Sequence, residues 1–265
     1  MPLLPPDPAT LNATAFRAAA RRDLRVFGAE VELVLLPERA ARPSRPTPQR
    51  PPFGKDPVPR ILAAEAQWRG DGLALTGNRY PFAAGQHILW LEQPAREPGE
   101  ELLAVLFGWN DAHRGTALLN TIGAAASIAR AHAHWTAERL PFLGAFGERP
   151  LAADWLPEAG GVAFVQKALP YVLLGVRGAA AARARAVAAL LRQRLCTAAN
   201  VVDADGTAWI YPRSRETPAP HFPAALGAAE VWGRWCYADE APFRAATAHD
   251  LEQALVVAGC AATDA

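Results

Sequence analysis

A chain of 265 residues, 51% of them hydrophobic, can bury one large core or two small ones. With 27 basic and 26 acidic residues its net charge is +1, which removes any strong electrostatic case for nucleic acid or a membrane surface as partner. The three cysteines, Cys196, Cys236 and Cys260, form no C-x-x-C pair, which argues against a disulfide framework and a zinc knuckle.

No apolar run approaches the length needed to span a bilayer, and "MPLLPPDPATLNA" lacks the basic and apolar regions of a signal peptide. A cytoplasmic protein is the expectation. In chain order, "TAFRAAARRDL" (14–24) reads as a short helix with Thr14 as its N-cap, and "EVELVLLP" (30–37) as a strand. These form a first unit, 1–40, packed on the rest. The stretch 41–59 carries seven prolines and cannot be regular structure; it predicts an ordered arm (41–60) anchored by Phe53, Lys55 and Arg60.

"ILAAEAQW" (61–68), "RGDG" and "LALTG" (73–77) predict a hairpin, because Asp-Gly is a strong two-residue turn signal. A buried strand (86–93) and a helix (99–113) follow, then strands at 116–120 and 127–135 joined by "TIGAAA". The second half predicts strands at "GVAFVQ", "YVLLGV" and "TAWIYPR", a helix over 179–196 and a final helix over 243–259. Hairpins interrupted by helices, without βαβ alternation, argue an α+β class with a mostly antiparallel sheet, 61–260 forming the main domain.

The second of the joined strands, "SIARAHAHW", holds two of the six histidines. Residues two apart share a strand face, so Arg130, His132 and His134 project together at about 6.5–7 Å intervals. Metal binding on this face would need a third ligand, and nearby sequence offers only Glu138, with Arg130 repelling a divalent cation. Nucleotidyl chemistry fits better: one imidazole attacks phosphorus while the other groups and loop N–H donors hold the oxygens. The small-residue loop before the strand allows close backbone approach to phosphate, and Asn120 and Ser127 add polar contacts. An ordinary half-exposed strand that carries two histidines is the competing reading.

"NTIGAAASIARAHAH" resembles the catalytic segment of the histidine-triad superfamily. The likeness is to the branch of galactose-1-phosphate uridylyltransferase, diadenosine tetraphosphate phosphorylase and GDP-hexose phosphorylases. That segment has an Asn, small residues, Ser-aliphatic and then H-x-H-x-[HQ]; Asn120, Gly123, Ser127 and Ile128 fall on its positions without gaps. The resemblance implies the family's α+β fold, His132 as nucleophile, His134 as third triad residue and Ser127 in the catalytic set. It also implies no cofactor and no catalytic metal. "GNRYPFAAGQHILWLEQPAREP" resembles the upstream motif, where Asn78 matches a ribose-contacting position. The proline-rich arm resembles that of GDP-hexose phosphorylases.

Arg130 departs from the pattern by standing at the first triad position. An alternative alignment makes His134 the nucleophile and Thr136 the third residue. The implied activity is phosphorolysis of a nucleoside diphosphate sugar or dinucleoside polyphosphate through a nucleotidyl-histidine. A hydrolase and a non-catalytic nucleotide-binding relative remain as alternatives. Partners are then a nucleotide and inorganic phosphate, with Arg130 and Lys55 as candidate phosphate cations; a homodimer is one option for assembly.

Elsewhere the sequence is read structurally. Trp209, Tyr211, Arg213, Trp232 and Trp235 are assigned to the core, Lys167 to a solvated loop and the "AARARAV" arginines to a solvated helix face. His221 and His249 are assigned to the surface.

Overall fold

A computed structural model describes residues 3–41, 56–193 and 196–262. Its centre is a ten-stranded antiparallel sheet. In chain order the strands are β3 (Trp68–Gly70), β4 (Leu73–Gly77), β5 (His87–Leu91), β6 (Thr116–Asn120), β7 (His132–Thr136), β8 (Glu148–Pro150), β9 (Val162–Lys167), β10 (Leu174–Gly178), β11 (Ala198–Ala204) and β12 (Thr207–Arg213). Across the sheet they run β3-β4-β5-β7-β6-β11-β12-β10-β9-β8. A three-stranded sheet joins β1 (Ala20–Val26), β2 (Ala29–Leu35) and β13 (Arg234–Tyr237), with β13 parallel to β2. The α+β class and the dominance of antiparallel pairing follow the sequence reading.

The sheet's two faces are covered differently. Helices α2 (Glu100–His113) and α3 (Ala180–Gln193) bury one face through Leu102, Leu106, Trp109, Val187 and Leu190 against Leu73, Leu89, Ala133 and Val201. The opposite face is covered in two places. At one end α1 (Val58–Glu65) brings Val58 and Leu62 onto Ala74, Ile88 and Trp90. Towards the other end the small sheet and helix α6 (Ala248–Ala258) pack on Leu118, Val202, Trp209 and Tyr211. Two shorter helices, α4 (Ala228–Trp232) and α5 (Glu240–Ala245), connect these parts. Among the described residues, no helix is long and apolar enough to cross a membrane.

Several elements differ from the sequence expectations. The helix expected over 14–24 is absent: alanine and arginine favour helix locally, but Ala20–Val26 pairs antiparallel with β2 and alternates in exposure. The strand expected over 61–68 is instead α1, which starts with prolines at its first turn; only the short β3 completes the hairpin. The final helix is two, broken at Ala246, with Thr247 starting α6 through a reciprocal capping box with Asp250.

The arginines of α3 divide. Arg185 is exposed, whereas Arg183 is fully buried and pairs with Asp203 at 3.0 Å and Asp111 at 2.7 Å. Burial pushes the Asp203 carboxyl up to about 6, with the Arg183 charge pulling the other way. Lys167 lies buried on β9, where it donates to Glu148 at 2.8 Å and sits over the Trp209 ring. Neither cation occupies the solvated position expected. His249 is exposed and His221 partly so, while Trp232 and Trp235 are fully buried.

His87 sits on the α2 side of the sheet between Trp109 and Trp135, with ring centroids 6.1 and 6.4 Å away. Its Nδ1 has no hydrogen-bond partner among the described residues. Burial lowers its pKa below the usual 6.5. The unfolded chain therefore binds this proton more readily, and stability falls as pH drops below that value, by at most about 1.4 kcal/mol per pH unit. His87→Phe is expected to flatten this part of the profile, measured by urea unfolding between pH 7.5 and 5; an unchanged slope would exclude His87 as its source.

Candidate functional site

β7 is the middle strand of the site. Its neighbours set which side chains share a face: His132 lies opposite Trp90, and His134 lies opposite Ile88 on one side and Leu118 on the other. Continuing the β6–β7 register brings Asn120 opposite His132. Continuing β4–β5 brings Asn78 beside Gln86, whose carbonyl accepts the Asn78 N–H at 3.0 Å. Residues opposite one another across antiparallel strands share a face. His132, His134, Asn120, Asn78 and Gln86 therefore gather on one side of the sheet, between the α1 cluster and the small-sheet cluster.

The histidine rings are 5.4 Å apart in an edge-to-face arrangement. His132 stacks on Trp90, centroids 4.8 Å apart, and the Trp90 indole is fixed by donating to Thr76 at 3.0 Å. His132 Nδ1 lies 2.9 Å from the carbonyl oxygen of Arg130. His134 packs edge-on to Phe82, and its Nδ1 lies 3.2 Å from the side-chain nitrogen of Gln86. Both rings are buried.

Arg130 lies just ahead of β7, which begins at His132, and residues 127–131 form its approach. The guanidinium pairs with Asp56 at 2.5 Å and donates to the carbonyls of Leu91 and Glu92. Two early bonds fix the approach itself: the Ala131 N–H to the Ala95 carbonyl at 2.7 Å, and the Leu91 N–H to the Ala131 carbonyl at 3.4 Å. These contacts hold the chain just ahead of β7.

The small-residue loop, 121–126, bends through left-handed residues Gly123 and Ala125. At Gly123 a Cβ would lie 3.1 Å from the Ala198 methyl, so close approach and positive φ both favour glycine. Asn120 Oδ1 accepts from Asn200 at 2.7 Å and from the Ala228 N–H at 2.8 Å. Asn200 also donates to the Ala124 carbonyl, and Glu216 accepts the Ala125 N–H. Ser127 is half-buried between this loop and β7. Lys55 lies outside the described residues. Asn78 is buried, and its Oδ1 accepts the Tyr80 N–H at 3.0 Å.

Sequence reasoning missed Gln86, Trp90, Asn200, Arg213 and Glu216 as neighbours of the site. Gln86 and Trp90 lay inside a strand correctly expected over 86–93, but facing could not be assigned without the register. β11, which carries Asn200, was not foreseen at all. Arg213 was rightly placed in the structure's interior: it is buried, and it donates to Asn200 Oδ1 and to backbone carbonyls. Burial pulls its pKa below the ordinary guanidinium value. Among the described residues, no group of three or more His, Cys, Asp or Glu is placed to hold a metal ion.

No protein-family model matches the sequence, and a search of curated proteins finds no match. Solved structures do match. Yeast Ap4A phosphorylase in complex with AMP superposes with a TM-score of 0.70 at 15% identity, covering 96% of this chain and 91% of the yeast chain. The same yeast enzyme in complex with Ap4A gives 0.65 at 14% identity, covering 96% and 93%. Near-complete coverage of both chains means that the ten-stranded sheet, its helices and the small sheet are aligned together. The chain has the fold of yeast Ap4A phosphorylase, the α+β fold implied by the likeness of its histidine segment to the histidine-triad superfamily.

Proposed function

We propose that the chain is a cytoplasmic nucleotidyl-transfer enzyme that cleaves a dinucleoside polyphosphate or nucleoside diphosphate sugar through a nucleotidyl-histidine. The observation that carries this reading is the bond between His132 Nδ1 and the Arg130 carbonyl. A carbonyl only accepts, so Nδ1 carries the hydrogen and Nε2 carries the lone pair. Nε2 is then the atom that attacks the α-phosphorus. The bond from phosphorus to the bridging oxygen breaks, and the leaving group departs with its electron pair. Stacking on Trp90 holds the imidazole plane during attack. Loop N–H groups other than those of Thr121, Ala124 and Ala125, which bond within the fold, stabilise the phosphoryl oxygens together with Ser127.

The ungapped assignment of His132 as nucleophile draws further support from Thr136. Its hydroxyl donates to the Ala84 carbonyl at 2.7 Å and accepts the Glu138 N–H, a structural engagement unlike a third triad member. Asn78 and Asn120 are proposed to contact the nucleotide.

Phosphate and water compete as acceptors for the intermediate. The fold favours phosphorolysis by analogy with the yeast enzyme. The engagement of Arg130 with Asp56 and two carbonyls favours hydrolysis, since a cation expected to hold phosphate is already neutralised. Radiolabelled dinucleoside polyphosphate mixed with enzyme and quenched in alkali is expected to leave nucleotide on the protein, because a phosphoramidate survives alkali and is lost in acid. Adding phosphate then releases nucleoside diphosphate from a phosphorylase, whereas a hydrolase releases monophosphate at every phosphate concentration. Turnover with no alkali-stable label on His132 would sink the covalent mechanism.

A further inference from the structure

We propose that Gln86 is a positioning residue that fixes the tautomer of His134 and so makes it a hydrogen-bond donor to the substrate. The assignment starts from the side-chain amide. The Phe82 backbone N–H donates to Gln86 Oε1 at 2.8 Å, which settles which end of the amide is oxygen. The other end, Nε2, faces His134 Nδ1 at 3.2 Å. An amide nitrogen can only donate, so His134 Nδ1 must accept, and the hydrogen of the neutral ring lies on Nε2.

The two neighbouring imidazoles are therefore set in opposite senses. His132 donates from Nδ1 to a carbonyl and keeps its lone pair on Nε2. His134 accepts at Nδ1 and keeps its hydrogen on Nε2. With the rings 5.4 Å apart, the face offers one nucleophilic nitrogen and, beside it, one N–H donor. The donor suits a phosphoryl or bridging oxygen that gains charge as its bond to phosphorus lengthens, and it needs no net positive charge to do so. Gln86 is fully buried and held at both ends, so its direction does not depend on solvent. Glutamate at this position would accept from Nδ1 and reverse the tautomer, while still accepting the Phe82 N–H.

The kinetic part of this proposal rests on the nucleotidyl-transfer reading; the tautomer part does not. Nitrogen-15 NMR of the imidazoles is to be recorded on the full chain, with His134→Gln used to assign the resonances. In the wild type the unprotonated nitrogen of His134 is expected to be Nδ1, and in Gln86→Glu it is expected to be Nε2. Gln86→Met, which lacks the donor, is expected to lower kcat about tenfold with KM within about threefold, the size of one lost hydrogen bond acting in the transition state. A purely structural glutamine would instead lower thermal stability and leave the kcat of the folded enzyme unchanged. A hydrogen on Nδ1 in the wild type, or wild-type kcat in folded Gln86→Met, would overturn the proposal. If no form turns over nucleotide, the nucleotidyl-transfer reading fails while the nitrogen spectra still decide the tautomer. If Gln86→Met does not fold, Gln86→Glu keeps the Phe82 bond and carries the spectral test alone.

Discussion

His132→Ala is expected to lower kcat/KM for a dinucleoside polyphosphate by about 10⁴-fold or more and to abolish the alkali-stable label. On the proposed mechanism the loss is this large because covalent catalysis divides one difficult displacement into two, and removing Nε2 removes both steps. Folding should survive. His132 bonds a carbonyl and stacks on Trp90, and Trp90 keeps its own bond to Thr76 and its packing on α1. His134→Ala should cost less, since it removes a donor and not the attacking atom, and should leave a slowly formed label. The comparison is made by stopped-time labelling together with thermal unfolding of each variant. Near-normal turnover by His132→Ala with loss in His134→Ala would transfer the nucleophile to His134 and support the gapped alignment with Thr136.

The pairing of these histidines was legible because period-two spacing is local: two residues apart on a strand means one face, whatever lies around it. The partners of Arg130 were not legible. It obeys the same spacing, but β7 starts after it and its guanidinium is bound by Asp56 and the carbonyls of Leu91 and Glu92. Those partners lie 38 to 74 residues away, and no window of sequence contains them.

The same contrast explains the elements. α2 and α3 were readable from apolar spacing that faces one continuous core. The β1 strand was not, since its residues favour helix and only pairing with β2 makes it extended. The start of α1 was signalled by prolines at its first turn, but the seven prolines nearby made the region look irregular as a whole. At the site, Asn120 was readable from the family segment, whereas Asn200, which fixes it, sits on a strand that no motif announced.

Arg213→Met is expected to lower unfolding free energy by about 3–5 kcal/mol, a fall in melting temperature of roughly 10 °C, and to weaken nucleotide turnover as a consequence. The buried guanidinium donates to the carbonyls of Arg215, Glu216, Leu226 and Ala258 and to Asn200 Oδ1. Methionine fills similar volume and supplies no donor, so these acceptors would stay buried and lose their partner. Lysine should not rescue, because one ammonium cannot reach acceptors spread around a planar fork.

The effect on the site follows from Asn200. With Arg213 on its oxygen, the Asn200 amide nitrogen is aimed at Asn120 Oδ1 and the Ala124 carbonyl. Losing that orientation frees both Asn120, which the register places opposite His132, and the loop proposed to hold the phosphoryl oxygens. Melting curves and steady-state kinetics on the same preparations separate this from direct ligation. A brace gives a large stability loss in the absence of nucleotide. Wild-type melting temperature combined with lost nucleotide affinity would mean that Arg213 contacts the substrate itself.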